Sequence, residues 1–310
     1  MEIAARFKQT LYLSRVRVLL RSAGMRRVLA AIGTLRSLGS QFAHRQGIQE
    51  HVTVHLRGFT ATFRTATLYE FDRVEALGSE RKFLQRLLQE VQPGDAAYDI
   101  GANLGLYTVF LAKAVGENGC VVAFEPEQRS LHRCRENVKL NALENVQLFD
   151  RALSNEDTEA NFVVYENPAS GVHHICRAGD TDVHARLQPI RLTIGDQFIS
   201  EYGLPIPNVL KIDVEGMEEE VLLGLTQTLR HSECRVVMCE VHFAILDQRG
   251  RWDAPARIVK FLDSCGFKKV EWLNSGHCLA VKPSARAARI QRSTNARSDG
   301  KQPWSHSRIQ

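Results

Sequence analysis

The sequence has 310 residues, 44% of them hydrophobic and 24% charged, with a formal net charge of +5. That balance belongs to soluble globular domains and excludes disordered, collagen-like and disulfide-stapled chains. Residues 1–50 hold nine Lys and Arg against two acids and residues 282–310 hold seven against one, which leaves the middle acidic, with no basic face for nucleic acid.

The seven cysteines (Cys120, Cys134, Cys176, Cys234, Cys239, Cys265 and Cys278) are scattered without a C-x-x-C pair. They read as free thiols of a reducing, cytoplasmic compartment and not as a zinc site. No uncharged apolar run approaches the roughly 20 residues of a membrane span; the run Val28 to Leu35 is closed by Arg27 and Arg36.

Residues 1–49 read as a basic helical extension. Leu13, Val16, Leu20, Val28, Ile32 and Leu35 recur at helical spacing, with Arg15, Arg17, Arg21, Arg26 and Arg27 between them. Such a stripe packs on a domain, lies peripherally on an anionic membrane, or serves as an organellar presequence. Val52 to Phe63 alternates as a strand pair does, with Arg57-Gly58 as the turn. An amphipathic helix follows from Glu80 to Val91, closed by Gln92-Pro93-Gly94.

Strand and helix then alternate. Strands are expected at 96–100, 120–125, 146–150, 209–213, 236–240 and 269–273, and helices at 106–115, 130–140, 218–229 and 256–265. Short connections in this order predict a parallel sheet covered by helices on both faces, in one domain spanning residues 50–283. Residues 155–207 interrupt the rhythm with a single expected strand, Ala160–Tyr165, and read as a substrate-side insertion. Residues 284–310 read as a disordered basic tail.

Asp99-Ile100-Gly101-Ala102-Asn103-Leu104-Gly105 falls where a strand ends and a helix begins. Glycines 101 and 105 clear the path of a bulky ligand, the amides at the start of the helix face it, and Asp99 is placed to meet a cationic group. The glycines are four apart, unlike G-x-G-x-x-G, and an acid precedes the first. That spacing suits S-adenosylmethionine (SAM), which has an ammonium and no pyrophosphate, better than a nicotinamide dinucleotide. Glu125 closes the next strand, where doubly wound folds set an acid on ribose hydroxyls. Asp150, ending the third strand, is placed to meet an adenine edge.

Lys211-Ile212-Asp213-Val214-Glu215-Gly216 ends the fourth strand at the switch point of such a sheet. An alcohol attacking a sulfonium methyl must lose its proton, and a carboxylate held beside it can take that proton. Asp213 and Glu215 share a side if the strand continues, and Glu215 has a second reading as a partner of the cofactor's amino group. Glu218 to Glu220 read as acids at a helix N-terminus. Glu240 and His242 end the fifth strand, and His242 is an alternative base. A divalent cation on Asp213, Glu240 and His242 is a minor reading, because such sets also occur without one, so no metal ligand is assigned. His173, His174 and His184 receive no role.

Asp99 to Gly105, Phe124-Glu125-Pro126, Glu136-Asn137 with Asn141, and above all Leu210 to Glu218 (LKIDVEGME) resemble the FkbM family of SAM-dependent methyltransferases. The resemblance covers about Gly94 to Val281. It implies an α/β class I, Rossmann-like fold with a mostly parallel seven-stranded sheet, one strand of it reversed near an edge. It also implies methyl transfer to a hydroxyl of a sugar, glycan or other small natural product. Two rival readings are a nicotinamide-dependent oxidoreductase, against which the missing G-x-G-x-x-G speaks, and a non-catalytic SAM-binding adaptor recruited to membranes.

Overall fold

A computed structural model describes residues 51–65, 68–75, 77, 80–165, 174–175 and 185–283. The expected N-terminal extension and basic tail lie outside the described residues, as do His173 and His184. The chain opens with a hairpin of β1 (His51–Leu56) and β2 (Phe59–Arg64). Alternation buries Val52, Val54, Leu56, Ala61 and Phe63 on one face. Arg57 and Gly58 have φ of 49° and 83°, the paired positive values that a two-residue type I′ turn requires.

Helices α1 (Leu68–Glu75) and α2 (Glu80–Leu87) follow. The second ends four residues earlier than its apolar spacing predicts, once Phe83, Leu84 and Leu87 are buried. Next come β3 (Ala96–Ile100), α3 (Leu106–Val115), β4 (Cys120–Phe124), α4 (Gln128–Leu140) and β5 (Val146–Phe149). The insertion supplies β6 (Ala152–Ser154), β7 (Thr158–Tyr165), β8 (His174–Ile175), β9 (Ala185–Ile194) and α5 (Gly195–Glu201). The chain then returns to the main sheet through β10 (Val209–Ile212), α6 (Glu218–Gly224), α7 (Thr226–Arg230) and β11 (Val236–Glu240). The described part ends with α8 (Phe243–Gln248), α9 (Ala254–Ser264), β12 (Lys269–Trp272) and β13 (His277–Val281).

The main sheet has seven strands in the order β12-β13-β11-β10-β3-β4-β5. Every pairing is parallel except those of β13, which runs against both of its neighbours one place in from the edge. This is the class I, Rossmann-like α/β arrangement expected above. All five residues of β3 are buried, as a central parallel strand covered on both faces must be. Tyr98, Ile100, Phe124 and Leu210 pack on one face with Phe198 of α5. Val121 and Met238 pack on the other with Phe83 of α2 and Phe110 of α3.

Two expectations need correction. Residues 155–207 were expected to hold one strand, but with β6 they form a second sheet, ordered β6-β9-β7-β8. There β7 and β9 pair antiparallel from Thr158↔Leu192 to Tyr165↔Ala185. Pro189 sits in mid-strand, where proline argues against a strand, yet it faces Asn161 in register while Gln188, Ile190 and Leu192 are buried. The helix expected over 218–229 breaks in two at Leu225, and Gly224 before it packs so closely on β6 that a Cβ there would lie 1.8 Å from the Ser154 carbonyl oxygen. Close approach of α6 to β6 fixes the second sheet against the first.

Candidate active site

A cleft of about 750 Å³, measured with its open mouth, runs along the carboxyl ends of β3, β4 and β10, the end at which open α/β sheets bind ligands. Gly101, Asn103 and Glu125 line one side, Asp213 and Glu215 the other, and Phe124, Leu153 and Phe162 give it an apolar wall. Arg73 and Arg151 also reach the cleft.

The glycine loop lies where its motif puts it, but its residues act differently from the expectation. Gly101 has φ of 80°, and a Cβ on it would sit 1.9 Å from the Asp213 carbonyl oxygen. Its missing side chain therefore seats the loop against the turn after β10 as well as opening the cleft. Gly105, also at positive φ, does not line the cleft; its Cβ would meet Cys134 Sγ at 2.7 Å. It is a packing glycine between α3 and α4. Asp99 is fully buried, accepts a bond from Thr108 Oγ1 at 2.6 Å and lies 3.3 Å from Lys211 Nζ. The cation it meets is the protein's own. Asp150 is half-exposed, held by Arg151 at 2.5 Å, and is not part of the cleft wall.

Glu125 does face the cleft, and both of its oxygens are anchored. Asn103 N–H, on a left-handed residue with φ of 52°, donates to Oε2 at 2.7 Å, and Glu127 N–H donates to Oε1 at 2.8 Å. Burial pushes the carboxyl up to about 7, with these two bonds pulling the other way. Each oxygen keeps a lone pair for a hydroxyl donor.

On the opposite side the strand does not continue to Glu215, as the shared-side expectation required. β10 ends at Ile212, and Glu215 and Gly216 turn at φ of 50° and 87°. The turn itself brings the acids together around His242. Nε2 of that ring is 3.1 Å from Glu215 Oε2, 3.7 Å from Asp213 Oδ1 and 4.0 Å from Glu240 Oε1. Its Nδ1–H donates to Glu218 Oε1 at 2.7 Å, since a carboxylate can only accept.

Burial works to lower the His242 pKa, but Glu218, Glu215 and Asp213 push it up to about 10. Burial lifts Glu215 to about 7 against the pull of His242. Burial also disfavours charge on Asp213, yet Lys211 and His242 hold it below the usual carboxylate range. Lys211 Nζ donates to the Gly101 carbonyl at 2.8 Å and is 3.5 Å from Asp213 Oδ2.

Several members of this site were not singled out from the sequence. Lys211 stood inside the KIDVEG string, and Glu218 was read as a dipole acid although it is fully buried and fixes His242. Glu80, Tyr107 and His277 form an adjoining set. Tyr107 OH donates to Glu80 Oε2 at 2.7 Å, and His277 Nε2 is 3.3 Å from Glu240 Oε2. Nothing local in the sequence marks these three, because only the fold brings α2, α3 and β13 to one place. Among the described residues no helix is long and apolar enough to cross a membrane, and all six cysteines are unpaired.

The methyltransferase FkbM domain matches residues 99–269, more than half of the chain. The hexuronic acid methyltransferase AglP of Haloferax volcanii is 28% identical over 198 residues, which are 64% of this chain and 77% of that protein. The AMB antimetabolite synthetase AmbE of Pseudomonas aeruginosa is 29% identical over 238 residues, 62% of this chain but only 11% of that protein. Among solved structures, the precorrin-6y C5,15-methyltransferase of Geobacter metallireducens GS-15 aligns at a TM-score of 0.42 and 17% identity, over 66% of this chain and 89% of that one.

Proposed function

The chain belongs to the FkbM methyltransferase family, and from that premise we propose that it transfers a methyl group from SAM to a hydroxyl of a sugar, glycan or other small natural product. The observation that carries this reading is one cleft with Glu125 and the glycine loop on one side and Asp213 and Glu215, both within 4 Å of His242, on the other. The likeness to the hexuronic acid methyltransferase of Haloferax volcanii supports a sugar acid as the acceptor class.

The residues present fit the cofactor. Glu125 has lone pairs for a pair of ribose hydroxyls, Phe124 and Leu153 offer an apolar wall for a flat base, and the cleft's carboxylates suit a sulfonium and an ammonium. When bound, SAM supplies an electrophilic methyl group whose bond to sulfur breaks as a bond to the acceptor oxygen forms. The chain's own work is positioning and proton handling. Asp213 and Glu215 hold the acceptor hydroxyl and receive its proton, and Glu218 fixes the ring of His242 beside them.

The test is incubation with methyl-labelled SAM and a panel of neutral sugars, hexuronic acids and extracted glycans, read by mass spectrometry. Asp213→Asn and Glu215→Gln are expected to cut turnover by roughly 10²–10⁴-fold in the one that takes the proton, with the fold intact by circular dichroism. Wild-type turnover in both variants would sink the assignment. A protein that binds SAM but labels nothing would be the adaptor instead.

A further inference from the structure

We propose that Asp213, Glu215 and His242 bind a divalent cation of the hard, oxygen-preferring class, such as Mn²⁺ or Mg²⁺, which holds the acceptor oxygen at the cleft. The part about the acceptor rests on the function proposed above; the cation site itself does not.

The first support is spacing. A cation with ligand bonds of about 2.1 Å sets neighbouring ligand atoms about 3 Å apart and opposite ones about 4 Å apart. His242 Nε2 stands 3.1 Å from Glu215 Oε2 and 3.7 Å from Asp213 Oδ1, and the three donor atoms lie within 4.8 Å of one another. The two carboxylates are donors that suit Mg²⁺ and Mn²⁺, and the one imidazole leans the set toward Mn²⁺, the higher of the two in affinity for nitrogen ligands.

The second support is how the imidazole is held. A metal-binding histidine gives its other N–H to a carboxylate or carbonyl, which fixes its tautomer and aims its lone pair. His242 Nδ1 has that partner in Glu218, 2.7 Å away, and the same Glu218 oxygen accepts Gly216 N–H at 2.8 Å. Nε2 is thereby presented to Asp213 and Glu215.

The third support is charge. Asp213, Glu215, Glu218 and Glu240 surround this one ring. The nearest lysine, Lys211, is shared with Asp99 and the Gly101 carbonyl, and Arg73 acts on Asp213 from the cleft wall. Glu218 is fully buried, and its second oxygen has no hydrogen-bond partner. Glu218 meets the ring at Nδ1, on the edge away from Asp213 and Glu215, so it adds negative charge behind the imidazole without taking a ligand position.

The adjoining set of Glu80, Glu240 and His277 has similar donors but does not meet the same conditions. His277 Nδ1 is buried without a hydrogen-bond partner, so no carboxylate or carbonyl anchors that ring from behind, and its Nε2 lies 3.3 Å from Glu240 Oε2. Glu80 Oε2 already accepts from Tyr107. That set lacks the anchored ring that Glu218 gives His242. Three protein donors leave about half of an octahedral shell open toward the cleft. An acceptor with two adjacent oxygens, a vicinal diol or hydroxy acid, fills two of those positions, and the cation makes the hydroxyl easier to deprotonate.

The experiment titrates MnCl₂ into the full-length, chelator-stripped protein and reads free Mn²⁺ by electron paramagnetic resonance. One site per chain is expected. Its affinity should fall at least tenfold in His242→Ala and Asp213→Asn, and between ten- and a hundredfold in Glu218→Gln, which leaves all three ligands in place. Circular dichroism checks each fold, and Glu218→Gln serves if a ligand variant does not fold. No Mn²⁺ binding overturns the site. So does binding that survives His242→Ala but is lost in His277→Gln. Mn²⁺ binding without methyl transfer to any acceptor would keep the site and sink the enzyme reading. Chelator-insensitive methyl transfer by a protein that binds no Mn²⁺ would do the reverse.

Discussion

Between Asp99 and Glu127 one side of the cleft is laid down by two consecutive strand–loop units, and its key bonds close within that stretch, from Asn103 and Glu127 to Glu125. The other side draws Asp213, Glu215 and Glu218 from one turn, Glu240 and His242 from the next strand end, and Glu80 and His277 from elements far away in the chain. The first side has a self-contained anchor at Glu125, while its Asp99 and Gly101 carbonyl reach across to Lys211. The second carries more acids than its imidazoles and lysine offset. A site whose polar groups complete one another locally is rigid by itself. One assembled from remote pieces with surplus charge needs a ligand to settle it, so variants there should interact and not add.

The joint between the two sides is where substitution should do most damage. Gly101→Val puts a β-branched residue at φ of 80° with its Cβ on the Asp213 carbonyl oxygen. A loss of about 4 kcal/mol or more is expected, enough to unfold a marginal domain. Thermal melting measures it, and a melting temperature near wild type would mean that the two sides are not locked together.

The next effect sharpens the contrast by pH. The folded Glu125 pKa is raised to about 7 from 4.5. Its contribution to stability is therefore fully present below pH 4.5 and lost as pH rises through about 7. Ribose hydroxyls need the ionised form, so SAM should bind about tenfold tighter at pH 8 than at pH 6. The same titration on Glu125→Gln should be weak and flat. A pH-independent wild-type affinity would remove Glu125 from the ribose role.

The smallest effect is expected at Asp150, whose side chain is half-exposed and bonded to Arg151. Asp150→Asn should change stability by less than about 0.5 kcal/mol and leave SAM affinity within a factor of two by calorimetry. A large loss would return this residue to the cofactor pocket.

Local physics made much of this legible. The hairpin showed itself by alternation and a glycine turn, and the strand–helix rhythm gave the sheet. The loop at 99–105 was found from its spacing, but the reasons for Asp99 and Gly105 were not visible there. Their partners, Lys211 and Cys134, come from other elements. Pro189 hid β9, because strand pairing with Asn161 outweighs a residue's local preference. Glu218 looked like an acid serving a helix end, and only its burial against His242 distinguishes it.

The buried Lys211 ammonium has a wider consequence. It holds the Gly101 carbonyl at 2.8 Å, Asp99 at 3.3 Å and Asp213 at 3.5 Å. One proton-rich group thus ties the two walls of the cleft together. If an incoming molecule draws Asp213 toward it, the ammonium's bonds to the glycine loop are expected to shift with it. Thermodynamic reciprocity then requires the loop's occupant to alter affinity at Asp213 by the same factor. Two molecules that must meet would so report their arrival to each other before they touch.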